Sequence, residues 1–227
     1  MKTKAAVLAL TALSLPFAAA AGPWYAGISA GQSRTSSDLV TNRESTIVNA
    51  TDIHSDFDRT DTAWKVFGGY RLHRNVAVEL NYADLGETRL ATSLLGGDPP
   101  LPATIAIDRK LDGYGADVLL IAPFEPQRLA LFARAGAFRA RLRETASLDG
   151  NIVFTNGDAS DRSRSTTHNE TVFHWGVGAD WDFTPNVAFR LEWERYANVG
   201  KPFAIGGSGT TGEADTDAFS LGVIMRF

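Results

Sequence analysis

The chain has 227 residues, of which 44% are hydrophobic and 21% are charged, with 21 glycines, 5 tryptophans and no cysteine. This composition suits one folded domain and excludes disulfide scaffolds and cysteine-ligated metal sites. The net charge of −4 and the pI near 5.6 leave no basic excess, so no nucleic-acid partner is expected. The mean hydropathy of −0.11 argues against a helical membrane protein but not against a β-barrel, because alternating strands dilute hydropathy.

The N-terminal segment, residues 1–21, predicts export. Lys2 and Lys4 precede an apolar stretch over residues 5–15, and three small residues, Ala19-Ala20-Ala21, follow. This order is typical of a secretory signal peptide, and the apolar stretch is short for a membrane anchor. We therefore predict a signal peptide over 1–21 and a mature domain over 22–227.

Alternation with a period of two recurs through the mature chain and predicts eight β-strands. One face of each predicted strand is bulky and apolar, and the other carries small or charged residues. In the seventh strand these two sets are Val187, Phe189, Leu191 and Trp193 against Ala188, Arg190, Glu192 and Glu194. A soluble lipocalin-like barrel would enclose the bulky apolar set. Eight strands enclose only enough room for side chains, so the small and charged set is predicted inside and the bulky set toward lipid.

The predicted connections alternate between short and long. Short turns fall at 73–75, 123–127 and 184–186, and long polar segments at 34–61, 87–107, 143–169 and 198–216. Strict alternation is typical of a barrel whose two ends face the periplasm and the exterior. The predicted fold is therefore all-β: an eight-stranded antiparallel transmembrane β-barrel with three short periplasmic turns and four long extracellular loops.

Four segments carry a family resemblance, in the right order and at the right spacing. They are Trp24-Tyr25-Ala26-Gly27, Phe67-Gly68-Gly69-Tyr70, Thr184-Pro185-Asn186 leading to 190–193, and Ser220 to Phe227. Together they resemble the OmpA transmembrane domain over essentially the whole mature chain. The resemblance implies a barrel in the Gram-negative outer membrane. The chain ends at the last strand without the periplasmic peptidoglycan-binding domain of the best-known members, so cell-wall anchoring is not expected.

The same resemblance implies the partners of the chain. Outer-membrane lipid and lipopolysaccharide surround such a barrel, and the barrel-assembly machinery inserts it. The assembly signal is predicted in alternate residues of the last strand: Phe219, Leu221, Val223, Met225 and Phe227. A monomer without cofactors is expected, with outward aromatic residues in two interfacial belts.

Charged residues fall on the predicted inward face. They are Lys65, Glu79, Asp117, Arg134, Asp180, Arg190 and Glu192. Asp180 and Arg190 lie five residues either side of Pro185 and are predicted to be cross-strand neighbours, with Asp117 and Arg134 pairing similarly. The family has a comparable interior network, proposed to open a small pore when it rearranges. Leu119 occupies what resembles the family's lysine position, so one cation is missing. Two readings remain: ion pairs that fill the lumen, or a small conducting path.

Other chemistry finds little support in the sequence. The four histidines, at 54, 73, 168 and 174, have no metal-ligand spacing. The one constellation for a lipid A-modifying enzyme combines His174 with Ser163, Ser165 or Asp161. Such a site must face lipid near the outer rim, and His174 is predicted to point inward, so no enzyme is expected.

The loops leave a surface role open. Segment 34–61 carries six acidic residues against three arginines, a local charge of −3, which suits a divalent cation, a basic partner or plain solvation. Envelope structure and integrity is the predicted function. The alternatives are a small low-conductance pore, a surface adhesin that binds an extracellular ligand and, remotely, the lipid-modifying enzyme.

Overall fold

The computed structural model describes residues 22–36, 52–95, 103–150, 162–200 and 213–227. The regular structure in these ranges is entirely β. The strands are β1 (Trp24–Thr35), β2 (Asp52–Asp58), β3 (Thr60–His73), β4 (Val76–Leu95), β5 (Ala103–Phe124), β6 (Leu129–Gly150), β7 (Ser163–Asp182), β8 (Val187–Val199) and β9 (Ala214–Arg226). Within the described ranges, no helix has the length and apolar character needed to span a membrane. The predicted signal peptide lies outside these ranges.

Eight of the strands form a closed antiparallel ring. β1 pairs with β3 on one side and with β9 on the other, and the pairing continues from β3 through β4, β5, β6, β7 and β8 to β9. The short strand β2 is not a ninth strand of the barrel wall. It continues the line of β3 along β4, after a break at Arg59. The predicted eight-stranded antiparallel barrel is confirmed.

The three short turns lie where they are predicted, but strands occupy parts of the long predicted loops, including β2 within the segment 34–61. The segments 87–107 and 143–169 were predicted as loops, whereas β4 to β7 continue as paired strands through most of both. In the first of these segments, inward residues such as Leu90 and Ile107 continue the alternation. Their outward neighbours are polar, for example Arg89 and Asp108, whose Nε and Oδ1 atoms lie 3.6 Å apart. Beyond the membrane the outward face meets water, so the apolar half of the strand signal disappears.

A bulge in β4 marks the level at which the barrel wall becomes a projecting hairpin. Gly86 has a φ of +79°, and the β4–β5 register shifts between Asp84 and Glu87. The backbone N–H of Gly86 donates to Asp84 Oδ1 at 3.0 Å, and that of Glu87 donates to Asp61 Oδ2 at 2.7 Å. Glycine reaches this left-handed conformation without steric cost, and carboxylates satisfy the N–H groups that leave the ladder.

A continuous apolar band covers the outside of the ring. On β5 it runs from Tyr114 to Phe124, close to the roughly 9–11 residues that a tilted strand needs to cross a bilayer. Large side chains in the band are open to the surroundings, such as Leu120 at 62% exposure and Leu221 at 63%. A water-soluble monomer rarely exposes so large an apolar surface, so this band is fitted to lipid.

Aromatic pairs line both rims of the band. Toward the short turns, the rings of Trp24 and Tyr70 are 4.7 Å apart. Toward the long hairpins, Trp64 lies 5.6 Å from Tyr82 and Trp175 lies 5.0 Å from Trp193. Amphipathic rings at two levels match the two belts predicted from the sequence, where aromatic side chains meet headgroups.

Replacing Leu120 with arginine tests the orientation of the band. A charge at mid-depth in hydrocarbon costs about 2–4 kcal/mol, so Leu120→Arg is expected to lower the free energy of unfolding by that amount. Reversible urea unfolding from lipid vesicles measures it. Ser165→Arg, an exposed position on the projecting part of β7, is the control and should change stability by less than about 0.5 kcal/mol. Equal effects at the two positions would contradict a lipid-facing band.

Candidate functional site: the charged lumen

The lumen is filled by side chains in three layers. An ionic layer lies between two apolar clusters. The cluster toward the short turns contains Tyr25, Phe67, Ala77, Leu119, Ile121, Phe132, Ala188 and Ile224. The cluster toward the long hairpins contains Ala63, Ala83, Leu85, Leu111, Phe138, Ala140, Leu142, Val172, Tyr196, Val199 and Ala218. Leu119, at the position resembling the family's lysine, is fully buried in the first cluster. Apolar packing therefore replaces a cation at this level of the lumen.

Arg190 organises the lower half of the ionic layer. Its Nε and Nη2 atoms donate to the two carboxylate oxygens of Asp180 at 2.8 and 3.0 Å, and Nη1 donates to Glu79 Oε1 at 2.7 Å. The guanidinium lies between the rings of Phe67 and Phe132, 4.7 and 4.5 Å from their centroids. The guanidinium group is thus held by hydrogen bonds to two carboxylates and by contacts with two aromatic rings.

Arg134 organises the upper half. Its Nη1 atom donates to Glu192 Oε1 at 2.6 Å and lies 3.4 Å from Glu194 Oε1. Its Nη2 atom contacts Asp117 and lies 3.3 Å from Glu79 Oε2. Because Glu79 also binds Arg190, one carboxylate joins the two halves. The side chains of Arg134 and Glu79 are fully shielded from solvent.

Lys65 completes the set of cations. Its ammonium group donates to Glu194 Oε2 at 2.7 Å and also contacts Glu192. The structure therefore brings all seven predicted inward charges into one connected layer, in which Asp180 pairs with Arg190 and Asp117 with Arg134. Gly136 makes room for it, since a Cβ at this position would collide with the Asp117 carboxylate.

Four polar residues that contact the layer were not in the predicted set, and one is Tyr25, whose hydroxyl group donates to Glu79 Oε1 at 2.9 Å. Glu194 has the same inward parity as Glu192, so alternation alone could have included it. Asn81 donates to Asp117 Oδ2 at 2.6 Å. His174 is fully buried, with Nε2 at 3.2 Å from Asp117 Oδ1 and 3.5 Å from Glu194 Oε1. Its ring stacks on that of Tyr196, its cross-strand neighbour on β8, at 4.9 Å between centroids.

The family assignment rests on the whole length of the barrel. A family model described as an outer membrane protein beta-barrel domain matches residues 5–227. The chain belongs to this outer membrane protein β-barrel family. The predicted resemblance and the outer-membrane location are thereby confirmed.

Individual relatives agree with this membership. Outer membrane protein P5 of Haemophilus influenzae is 27% identical over 210 residues, which are 88% of this chain and 54% of that protein. The chain thus spans about half the length of this curated relative. The crystal structure of Neisserial surface protein A superimposes with a TM-score of 0.50 at 16% identity, covering 91% of this chain and 99% of that one, and shows the shared fold. The N-terminal β-barrel domain of Pseudomonas aeruginosa OprF gives a TM-score of 0.43 at 12% identity, with 91% and 99% coverage.

The serine–histidine constellation is not assembled in this outer-membrane barrel. His174 is enclosed in the lumen, and Ser165 lies nine residues away along β7, roughly 30 Å at strand spacing. Ser163 is farther still, and Asp161 lies outside the described residues. In the part of the chain that the structure describes, no three His, Asp or Glu side chains are grouped to hold a metal ion. Most of the acidic segment 34–61, including residues 37–51, lies outside the description.

The predicted assembly signal lies on the lipid-facing side of β9. Its five alternate residues, Phe219, Leu221, Val223, Met225 and Phe227, are all exposed on the outer surface. Their role in assembly stays a prediction.

Removing one cation of the ionic layer should destabilise the barrel strongly. Arg134→Met leaves Glu79, Asp117 and Glu192 buried without a shared partner, and breaking a buried pair costs about 3–5 kcal/mol. Unfolding in urea from lipid vesicles measures the loss. Arg195→Met is the control, because Arg195 pairs with Asp217 on the partly exposed outer surface, at 2.7 Å, where a pair contributes about 0–1 kcal/mol. A loss below about 1 kcal/mol for Arg134→Met would mean that the layer contributes little to stability.

Proposed function

We propose that this protein is a sealed outer-membrane barrel that contributes to the structure and integrity of the cell envelope. Its charged layer closes the lumen, and its projecting hairpins are exposed at the cell surface. The proposal includes export through the N-terminal signal peptide and insertion by the barrel-assembly machinery.

One observation carries the proposal: the centre of the lumen is occupied by a single connected set of ion pairs. Arg134 and Arg190 contact carboxylates contributed by β4, β5, β7 and β8, which lie around the ring. Both arginine side chains are at most 2% exposed. Among the described residues, a cavity of about 20 Å³ lies above the layer, beside Arg109 and Leu142, and has room for about one water molecule. A path for solutes requires these side chains to move.

The free energy of such a movement decides between a sealed barrel and a pore. Separating a buried ion pair costs about 3–5 kcal/mol. An open state at that free energy is populated at roughly one part in 10² to 10⁴. This supports a barrel that is closed almost all the time and leaves the low-conductance pore as the alternative to be tested.

Single-channel recording in planar bilayers tests the seal. Purified wild-type protein is expected to give no sustained conductance. Arg190→Ala removes the cation held by Asp180 and Glu79 and is expected to raise the frequency of brief, cation-selective openings at least about tenfold, because the carboxylates remain. Arg195→Ala, on the outer surface, is the control and should behave like wild type. Steady conductance from wild-type protein would overturn the sealed barrel in favour of the pore, and silence of both proteins would eliminate the pore.

Deletion of the gene tests the envelope role. A strain without the protein is expected to admit detergent and to leak periplasmic enzymes more than its parent, and a copy expressed at the parental level should restore the barrier. An intact barrier in the deletion strain would contradict the proposal. If that strain instead lost attachment to host cells, the surface adhesin would be favoured.

A further inference from the structure

A row of arginines lies on the outer surface of β6, just above the apolar band. The band on β6 ends in small outward residues, the last of them Ala137, and the next three outward positions are Arg139, Arg141 and Arg143. Alternate residues of a strand are about 6.6 Å apart, so the row rises roughly 13 Å along the wall. It faces neither the lumen nor the loop tips, so a ligand reaches it from the headgroup region of the surrounding membrane.

Asp112 on β5 holds two of these arginines in place. Arg141 donates to it through Nε at 3.1 Å and Nη2 at 2.6 Å, and Arg143 donates through Nη2 at 2.6 Å. Tyr82 adds a hydrogen bond at 3.1 Å. Burial alone would raise the pKa of Asp112, but the hydrogen bonds from Arg141 and Tyr82 outweigh it and lower the pKa below its usual value. Asp112 therefore stays ionised.

The two arginine side chains remain accessible while their anchor does not. Arg141 and Arg143 are 47% and 42% exposed, whereas the Asp112 side chain is 1% exposed. One buried carboxylate thus fixes two guanidinium groups side by side and neutralises only one of them. The ordering entropy of both side chains is spent before any ligand arrives, which favours binding.

The neighbouring strands leave the row with a positive excess. On the β7 side the partners of the row are uncharged: Thr167, Asn169 and Thr171 lie opposite Arg143, Arg141 and Arg139. Arg139 donates to Thr171 Oγ1 at 3.1 Å. On the β4 side the acidic residues already have a cation, since Lys110 lies 3.6 Å from both Asp84 and Glu87. The described surface between β6 and β7 therefore offers free guanidinium and hydroxyl donors with no competing carboxylate beyond Asp112.

We propose that Arg139, Arg141 and Arg143 form a binding site for the phosphate groups of lipopolysaccharide, the lipid of the outer leaflet. Guanidinium forks match phosphate oxygens in geometry and charge. The apolar band directly below would hold the acyl chains of the same molecule. The site rests on the proposed envelope role and gives the lipopolysaccharide expected around the barrel a specific binding site on β6.

Lipid retention by purified protein tests the site. Wild-type protein in phosphatidylcholine nanodiscs that contain lipopolysaccharide is expected to bind it at least about tenfold more tightly than the variant R139Q/R141Q/R143Q does. The smaller variant R139Q/R143Q keeps the Arg141–Asp112 pair and with it the local structure, and it should lose most of the same affinity. Arg195→Gln is the matched control, because Arg195 is the first outward polar residue above Trp193 but is neutralised one-to-one by Asp217. It should bind as wild type does.

Three further arms identify the ligand group. Enzymatically dephosphorylated lipopolysaccharide should bind wild type and R139Q/R143Q equally. Phosphatidylglycerol and inorganic phosphate should not displace lipopolysaccharide at matched phosphate concentration. The inference is overturned if R139Q/R143Q retains lipopolysaccharide as wild type does, if dephosphorylation changes nothing, or if either competitor displaces it fully. None of these results would alter the expected closed lumen or the phenotype of the deletion strain, so the two proposals fail separately.

Discussion

The structure depends on one constraint, the narrowness of a ring of eight strands. Such a ring has room for side chains and almost none for water, so the inward charged groups must pair with one another inside the lumen. Glu79 shows how tightly this works, because its two oxygens serve Arg134 and Arg190 from different strands. The apolar clusters on either side keep the layer dry and make each unpaired charge expensive. The ion pairs and apolar clusters in the lumen therefore stabilise the barrel together with the backbone hydrogen bonds between its strands.

The same constraint explains how much of the fold could be predicted from the sequence. In the membrane the outward face must be apolar and the charges must face in, so alternation identified the eight strands and the inward side of Lys65, Asp117 and Arg190. Above the membrane the outward face meets water and its residues become polar. The alternation of apolar and polar residues therefore weakens there. The upper parts of β4 and β5 were consequently predicted as loop, although inward Leu90 and Ile107 continue the alternation.

Parity and hairpin symmetry predicted cross-strand neighbours, and this was enough for Asp180 and Arg190. It could not predict contacts across the lumen, because these depend on the stagger of the ring and on rotamers. The contact of Arg190 with Phe67 and Phe132 is of this kind, whereas His174 and Tyr196 are cross-strand neighbours in the same hairpin as Asp180 and Arg190. The outer arginine row was also overlooked, since a short run of alternating arginines resembles any solvated strand until Asp112 is seen behind it.

The described strands are unequal in length, so the two sides of the barrel differ in height. β5 and β6 have 22 residues each, whereas β1 has 12 and β9 has 13. The sheet around β5 and β6 therefore projects beyond the membrane, whereas the described strands β1 and β9 are short. Molecules that diffuse in the outer leaflet and approach β5 and β6 therefore meet a polar sheet standing above the apolar band.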